Sequence, residues 1–253
     1  MARLTFRHLA LGLIAAPLAL GLAACGGKED DSGKTPTGEP IEAIAPPDGE
    51  SWTEVVSKTE EGGYRMGNPD APIKLVEYGS LTCPHCAHFA EQSQDELLND
   101  FVTSGRVSYE FRNFVMNPLD LTMAMIVRCG SPQSFFALVE QTYANQHAIV
   151  DTWSKAGEDT VTQAANQPAD TRYLAIANVA GLGEFYAARG ISTDQSMECL
   201  ANGETAEALV QATSSQSEEF DITGTPSFLI DGQKVDINTW PEIKTRLENL
   251  GAR

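Results

Sequence analysis

Apolar and polar residues alternate with a period of two over residues 73–79, "IKLVEYG", with Ile73, Leu75 and Glu77 on one face and Lys74, Val76 and Tyr78 on the other. That alternation predicts a β-strand, and "NPDAP" at residues 68–72 predicts the turn leading into it. From Cys83 the period lengthens: Cys86, Phe89, Ala90, Ser93, Leu97 and Phe101 make one mostly apolar helical stripe, with His85, His88, Gln92 and Asp95 on the opposite face. A second alternating run, residues 106–114, carries Val107, Tyr109 and Phe111 on one side. Strand, helix and strand in so short a span imply a right-handed parallel crossover. Residues 119 to about 220 then read as successive helices, residues 225–237 as a hairpin turning at Asp231 and Gly232, and residues 239–250 as a closing helix. No internal repeat is visible.

The ends of the pattern differ in kind. After Arg3 and Arg7 come sixteen uncharged, mostly apolar residues, 9–24, ending in "LAAC" at residues 22–25. This reads as a secretory signal, shorter than the roughly 20 residues a membrane span needs. Residues 25–52 follow, rich in Gly, Pro, Ser and acids with no sustained apolar period, and read as a disordered tether spanning about 30 Å. Residues 53–253 remain as the folded body, exported whichever way the leader is processed. Removing residues 1–24 takes two of the 17 basic residues and none of the 35 acidic ones, leaving a net charge of −20. Such a surface repels nucleic acid and anionic headgroups, so nucleic acid is excluded as a partner.

Cysteine usage sharpens the picture. Setting Cys25 aside, Cys83, Cys86, Cys129 and Cys199 remain, an even number in an exported chain. Three pairings are open on paper. The two-residue spacing favours Cys83 with Cys86 and leaves Cys129 for Cys199, a structural bond preferred over a second redox couple or two free thiols. Pro84 suits the first position of a helix, which puts Cys83 at or beside the N-cap, at an exposed tip, while Cys86 points along the core stripe. The free N–H groups and positive dipole end there favour a thiolate, making Cys83 the candidate nucleophile. Glu77 shares a face with Ile73 and Leu75, which predicts partial burial behind the thiol pair, with an ion pair at the strand end as the plainer alternative. Zinc is a competing use for Cys83, His85, Cys86 and His88, but a zinc site takes four protein ligands, or three and a water. Here the cysteines lie on different sides of a helix start, and His147 is the other histidine of the body, in no recognisable pairing. No metal or other cofactor is called for.

"VEYGSLTCPHCAHF", the long helical stretch after it and "GTPSFLIDG" together resemble the DsbA-like thiol:disulfide oxidoreductases over roughly residues 53–253. The resemblance implies an α/β thioredoxin fold with an inserted helical domain: a first part over 53–118, the insert over 119–219 and a second part over 220–253. It implies a cis bond before Pro226 lying against the CPHC pair, with the Thr225 backbone free to pair with a substrate. It implies that His85 supports the Cys83 sulfur and that Glu77 helps move protons. Where the best-known enteric members carry a second acid on the active-site helix, this chain has Ala90, so the family's proton relay does not carry over whole. The activity implied is introduction of disulfides into exported, cysteine-containing polypeptides, with reoxidation by a DsbB-like quinone-linked membrane protein. A reductase or isomerase is the alternative, since Thr225 before the cis-proline does not fix direction. Little chain precedes the body for a dimerisation domain, which favours a monomer. A lipoprotein binding module or chaperone with a structural CxxC is the reading from another class. "LAAC" resembles the lipobox of bacterial lipoproteins, implying a lipid on Cys25 and a membrane-anchored place in the periplasm; Gly26 after it leans towards the outer membrane.

Overall fold

The computed structural model describes residues 37–253. The leader over residues 1–24, Cys25, Gly26 and the first part of the tether lie outside the described residues. Among the described residues no helix is long and apolar enough to cross a membrane.

In chain order the elements are β1 (Val56–Lys58), β2 (Tyr64–Met66), β3 (Ile73–Gly79), α1 (Pro84–Glu96), β4 (Val107–Asn113), α2 (Pro118–Val127), α3 (Pro132–Ala144), α4 (Gln146–Lys155), α5 (Glu158–Ala165), α6 (Ala169–Val179), α7 (Leu182–Ala187), α8 (Thr193–Leu200), α9 (Gly203–Phe220), β5 (Ser227–Ile230), β6 (Gln233–Val235) and α10 (Trp240–Asn249). The strands form one sheet in the order β1-β2-β4-β3-β5-β6. β3 and β4 run parallel, with Ile73 opposite Val107 and Gly79 opposite Asn113, and the other pairs are antiparallel. This is the α/β sheet of a thioredoxin fold, its central strands joined through α1 and the eight helices α2–α9 set between β4 and β5.

Side-chain alternation explains how β3 is covered. Ile73 and Leu75 belong to the main core, while Val76 and Tyr78 pack on the opposite face with Ile222 and Leu229. α1 buries Cys86, Phe89 and Ser93, and a π-helical turn over Leu97–Val102 continues the stripe with Leu97 and Phe101. α10 closes that side: Trp240 stacks edge-on against Phe89 and Phe101, and its indole N–H donates to Glu96 at 2.7 Å. Every residue of α2 after its first is buried. A helix buried on every side belongs in an interior: α2 is packed by α6, α8 and α9, and takes Asp120 and Thr122 inside with its apolar residues. The hairpin turns on Asp231 (φ 51°) and Gly232 (φ 79°), both left-handed as a two-residue connection requires.

Two features depart from the expectation. β1 and β2 extend the sheet at its far edge, yet each has three residues, too few for alternation to register. The segment read as disordered to residue 52 is, from residue 38, a strap bound to the body. Gly38 N–H donates to Asn249 O at 2.8 Å, Ile41 N–H to Gly251 O at 2.9 Å and Ile44 N–H to Ser104 O at 2.9 Å. The buried Trp52 indole donates to Ile44 O at 2.7 Å, and Arg106 Nε to Ile41 O at 2.6 Å. Glycine makes room for the strap: Gly105 has φ 71°, and a Cβ there would stand 2.5 Å from Ile44 O. A few anchors with satisfied backbone groups outweigh a polar composition.

A disulfide joins Cys129, just past α2, to Cys199 in α8, 70 residues on. Closing a loop of that length stabilises by about 4 kcal/mol in the chain-entropy picture. The double variant Cys129→Ala, Cys199→Ala is expected to lose stability of that order in denaturant unfolding; an unchanged midpoint would contradict it.

Candidate active site

β3 ends at Gly79, and the chain turns through Ser80–Leu81–Thr82 into α1. Cys83 is the N-cap (φ −82°, ψ 118°), with Pro84 in the first turn. Proline lacks the N–H that has no helical partner there and presets φ, so the sequence starts the helix at this point. The side chain of Cys83 caps no backbone group of its own helix, leaving its sulfur beside the unpaired first-turn amides. Both thiols are unbonded. Cys83 is 8% exposed and Cys86 0%. Cys83 is therefore less open than a helix tip suggests, because the loop before β5 lies over it.

That loop carries the cis bond between Thr225 and Pro226. The Cys83 thiol donates to the Thr225 carbonyl oxygen at 3.2 Å, and the Thr225 hydroxyl lies 3.5 Å from Met116 Sδ. The carbonyl can accept only from a thiol and so favours the protonated form. Against it stand the donors: the Cys86 thiol foremost, then the Thr225 side chain and the backbone N–H groups of Cys86 and His85. Despite partial burial, the donors prevail and bring Cys83 down to about 5. Cys86 moves the other way: burial, the hydrogen bond it gives to Cys83 and the facing Glu77 carboxyl all hold it protonated. Neighbouring thiols of one motif are thus driven apart.

Glu77 is 1% exposed, more deeply buried than expected. Its Oε2 accepts from the Tyr109 hydroxyl at 2.6 Å, and Oε1 has no partner. Burial pushes its carboxyl up to about 8, opposed by Tyr109 and reinforced by Cys83. No ion pair holds it among the described residues, so a proton at neutral pH does that work. His85 is exposed. It acts on Cys83 through its backbone N–H, and its side chain lines an open groove of about 490 Å³ with Phe89, Thr225, Pro226 and Pro241. A second groove, of about 500 Å³, is lined by Thr82, Leu119, Val150 and Trp153. Half-buried Ala90 lies in a crevice that also touches Tyr109 and Tyr143.

Sequence reasoning missed the groups that brace the loop. Gln146, 6% exposed, donates to both Leu81 O (2.9 Å) and Cys83 O (3.0 Å). The Tyr143 hydroxyl donates to Ser80 O at 3.3 Å, and Asn117 Nδ2 to Thr82 Oγ1 at 2.8 Å. Asp120 accepts from Leu81 N–H at 2.8 Å. "NPLD" at 117–120 signals a capped helix start, but nothing local tells that its acid reaches back to residue 81. The arrangement as a whole can perform thiol–disulfide exchange: one sulfur is a ready anion, its partner a reserved thiol, and a buried acid faces the partner.

Comparison with known proteins places the chain. The family model described as "Thioredoxin" matches residues 59–249. The chain belongs to the thioredoxin family. A protein-disulfide isomerase of Novosphingobium aromaticivorans is similar in sequence and structure: 35% identical, TM-score 0.69, covering 72% of this chain and 96% of that one. The alpha-DsbA1 of Wolbachia pipientis shares the fold with a TM-score of 0.58 at 20% identity, covering 75% of this chain and 90% of that one. The fold is therefore the DsbA-like one, with a helical insert. A protein of Rickettsia bellii that bears the provisional name protein-disulfide oxidoreductase is 26% identical over 182 residues, 72% of this chain. The chain spans 62% of that relative's length.

The raised carboxyls set a pH dependence. Between an ordinary 4.5 and about 8, folded Glu77 keeps a proton that the unfolded chain has released. Stability therefore falls as pH rises through that window, by at most about 1.4 kcal/mol per pH unit. Asp120, moved from 3.8 to about 6, adds a fall of the same sign at lower pH. Oxidised protein is expected to be less stable at pH 8 than at pH 6, and Glu77→Gln to flatten that slope in denaturant titrations. A slope that survives the substitution would contradict the assignment.

Proposed function

We propose that the protein is an extracytoplasmic thiol:disulfide oxidoreductase that introduces disulfides into exported, cysteine-containing polypeptides. The observation that carries this reading is the opposite displacement of the two thiols, Cys83 down to about 5 and Cys86 upward. A thiolate stabilised in the reduced state makes the corresponding disulfide easy to reduce, hence an oxidant of its substrates.

In the oxidised form the pair is joined as a disulfide. A substrate thiolate attacks Cys83 Sγ; the new substrate–Cys83 bond forms, the Cys83–Cys86 bond breaks, and its electron pair leaves with Cys86. Cys86 is a poor anion in its buried site, and the Glu77 carboxyl, protonated at neutral pH, supplies the proton and regains one from solvent. A second substrate thiolate then attacks the substrate sulfur and expels Cys83 as a thiolate, a good leaving group at its lowered value. The substrate has lost two electrons and the pair has gained them. Once Cys83 is in the mixed disulfide it no longer donates to Thr225 O, which frees that carbonyl to accept a backbone N–H of the substrate. The His85 imidazole, which lines the groove with Thr225 and Pro226, is assigned the role of hydrogen-bond donor to sulfur during exchange.

Reoxidation is assigned to a DsbB-like quinone-linked membrane protein. The chain works as a monomer, held at the periplasmic side of a membrane, the outer one by preference, through a lipid on Cys25. Cys129 and Cys199 are structural in this scheme.

A second reading, disulfide isomerase or reductase, draws support from the name of the Novosphingobium relative. The reduction potential of the Cys83–Cys86 pair separates them. A value more oxidising than about −200 mV is expected, and one at or below the roughly −270 mV of thioredoxin would contradict the oxidising direction. Cys86→Ser cannot complete the cycle and should accumulate mixed disulfides with exported proteins. Recovery of none from the native compartment would favour a structural CxxC.

A further inference from the structure

Asp120 has no part in the exchange steps above, yet it is a carboxylate 1% exposed, and burying one is costly unless its oxygens are well used. They are used across the site rather than within its own helix. Oδ1 accepts from Leu81 N–H at 2.8 Å, and Oδ2 from Met116 N–H at 2.9 Å. Leu81 stands two residues before Cys83. Met116 places its sulfur 3.5 Å from the Thr225 hydroxyl, and the Thr225 carbonyl lies 3.2 Å from Cys83 Sγ. The contacts close a ring: Cys83, its loop, Asp120, Met116, Thr225 and back to Cys83. Asp120 is in turn oriented by its own N–H, which donates to Asn117 Oδ1 at 2.9 Å. An acid serving only as a cap would stay with the first turn of α2; this one spans 39 residues to Leu81.

The geometry points to Asp120 as a positioning residue for thiol–disulfide exchange: its two oxygens hold the Cys83 loop and the Met116–Thr225 side in register, keeping the stabilising donors aimed at the Cys83 sulfur. This inference rests on the reading of Cys83 as the reactive thiolate. It makes a prediction of sign. The groups facing Asp120 are the Ser80 hydroxyl and amides of Leu81 and Met116, Cys83, and the Tyr143 and Tyr186 phenols. As a negative charge near Cys83, Asp120 disfavours the thiolate, so deleting the charge alone would ease Cys83 ionisation. Losing the positioning does the opposite.

Asp120→Asn keeps the shape but offers one acceptor in place of two, turning an amide NH2 towards Leu81 or Met116. At pH 7.5, where Asp120 is ionised and both its oxygens accept, the Cys83–Cys86 pair of the full-chain variant is expected to be about tenfold less oxidising in its equilibrium with glutathione, the redox counterpart of a one-unit rise at Cys83. An equilibrium constant unchanged, or moved to the more oxidising side, in a variant that keeps its circular dichroism, would overturn the proposal. Should the variant fail to fold, the wild-type protein decides: in the oxidised form, where Cys83 does not titrate, the amide protons of Leu81 and Met116 are expected to shift together with one midpoint near 6. Separate midpoints, or none, would overturn the proposal. A wild-type alkylation midpoint at an ordinary thiol value would bring down the thiolate reading itself, and this inference with it.

Discussion

Hydrogen bonds converging on one sulfur are the constraint around which the molecule is arranged. Amides with no helical partner are available only at a helix start, so the sulfur must sit at the N-cap. There Pro84 fixes where α1 begins and Cys83 precedes it. The same helix must bury Cys86 one turn on, and its apolar stripe through Phe89, Ser93 and Leu97 does that against the sheet and α10. The activated sulfur and the sealed one follow from a single helix laid on a core, with little exposure needed at the first.

The surroundings then act on the two thiols in opposite senses. Donors at the helix start and at Thr225 favour charge on Cys83. The interior behind Cys86 disfavours charge on anything it holds, and Glu77 is itself pushed towards its neutral form there, with only Tyr109 as a partner. In the proposed cycle that neutral acid is the proton source for Cys86, placed there by burial, and Ala90 stands on α1 beside the crevice leading to Tyr109. The helical insert belongs to this apparatus: Asn117, Asp120, Tyr143 and Gln146 all reach from it to residues 80–83. Its buried α2 and the Cys129–Cys199 bond give those side chains a firm base.

What the sequence made legible was whatever is written locally. β3 could be read from its alternation, α1 from its stripe and Pro84, and the hairpin from Asp231 and Gly232. The DsbA-like resemblance supplied the cis-proline loop and its place against the thiols. β1 and β2 were invisible because three residues cannot display a period. The strap over residues 38–52 was misread because its hold depends on Ile41, Ile44 and Trp52 meeting Ser104, Gly105 and Gly251, partners remote in the chain. Glu77 was found but its burial underestimated, since a strand pattern gives the face and not the depth of cover. Asp120 and Gln146 were missed for the same reason as the strap: their contacts to Leu81 and Cys83 span 39 to 65 residues.

The central claim is that Cys83 is an anion at neutral pH because the helix start and its neighbours donate to it. The most direct measurement is the absorbance of the thiolate near 240 nm in reduced protein, followed across pH with Cys83→Ser as the blank. The account predicts a single Cys83 transition with its midpoint at about 5. A transition near the 8.5 of an unperturbed cysteine would contradict it.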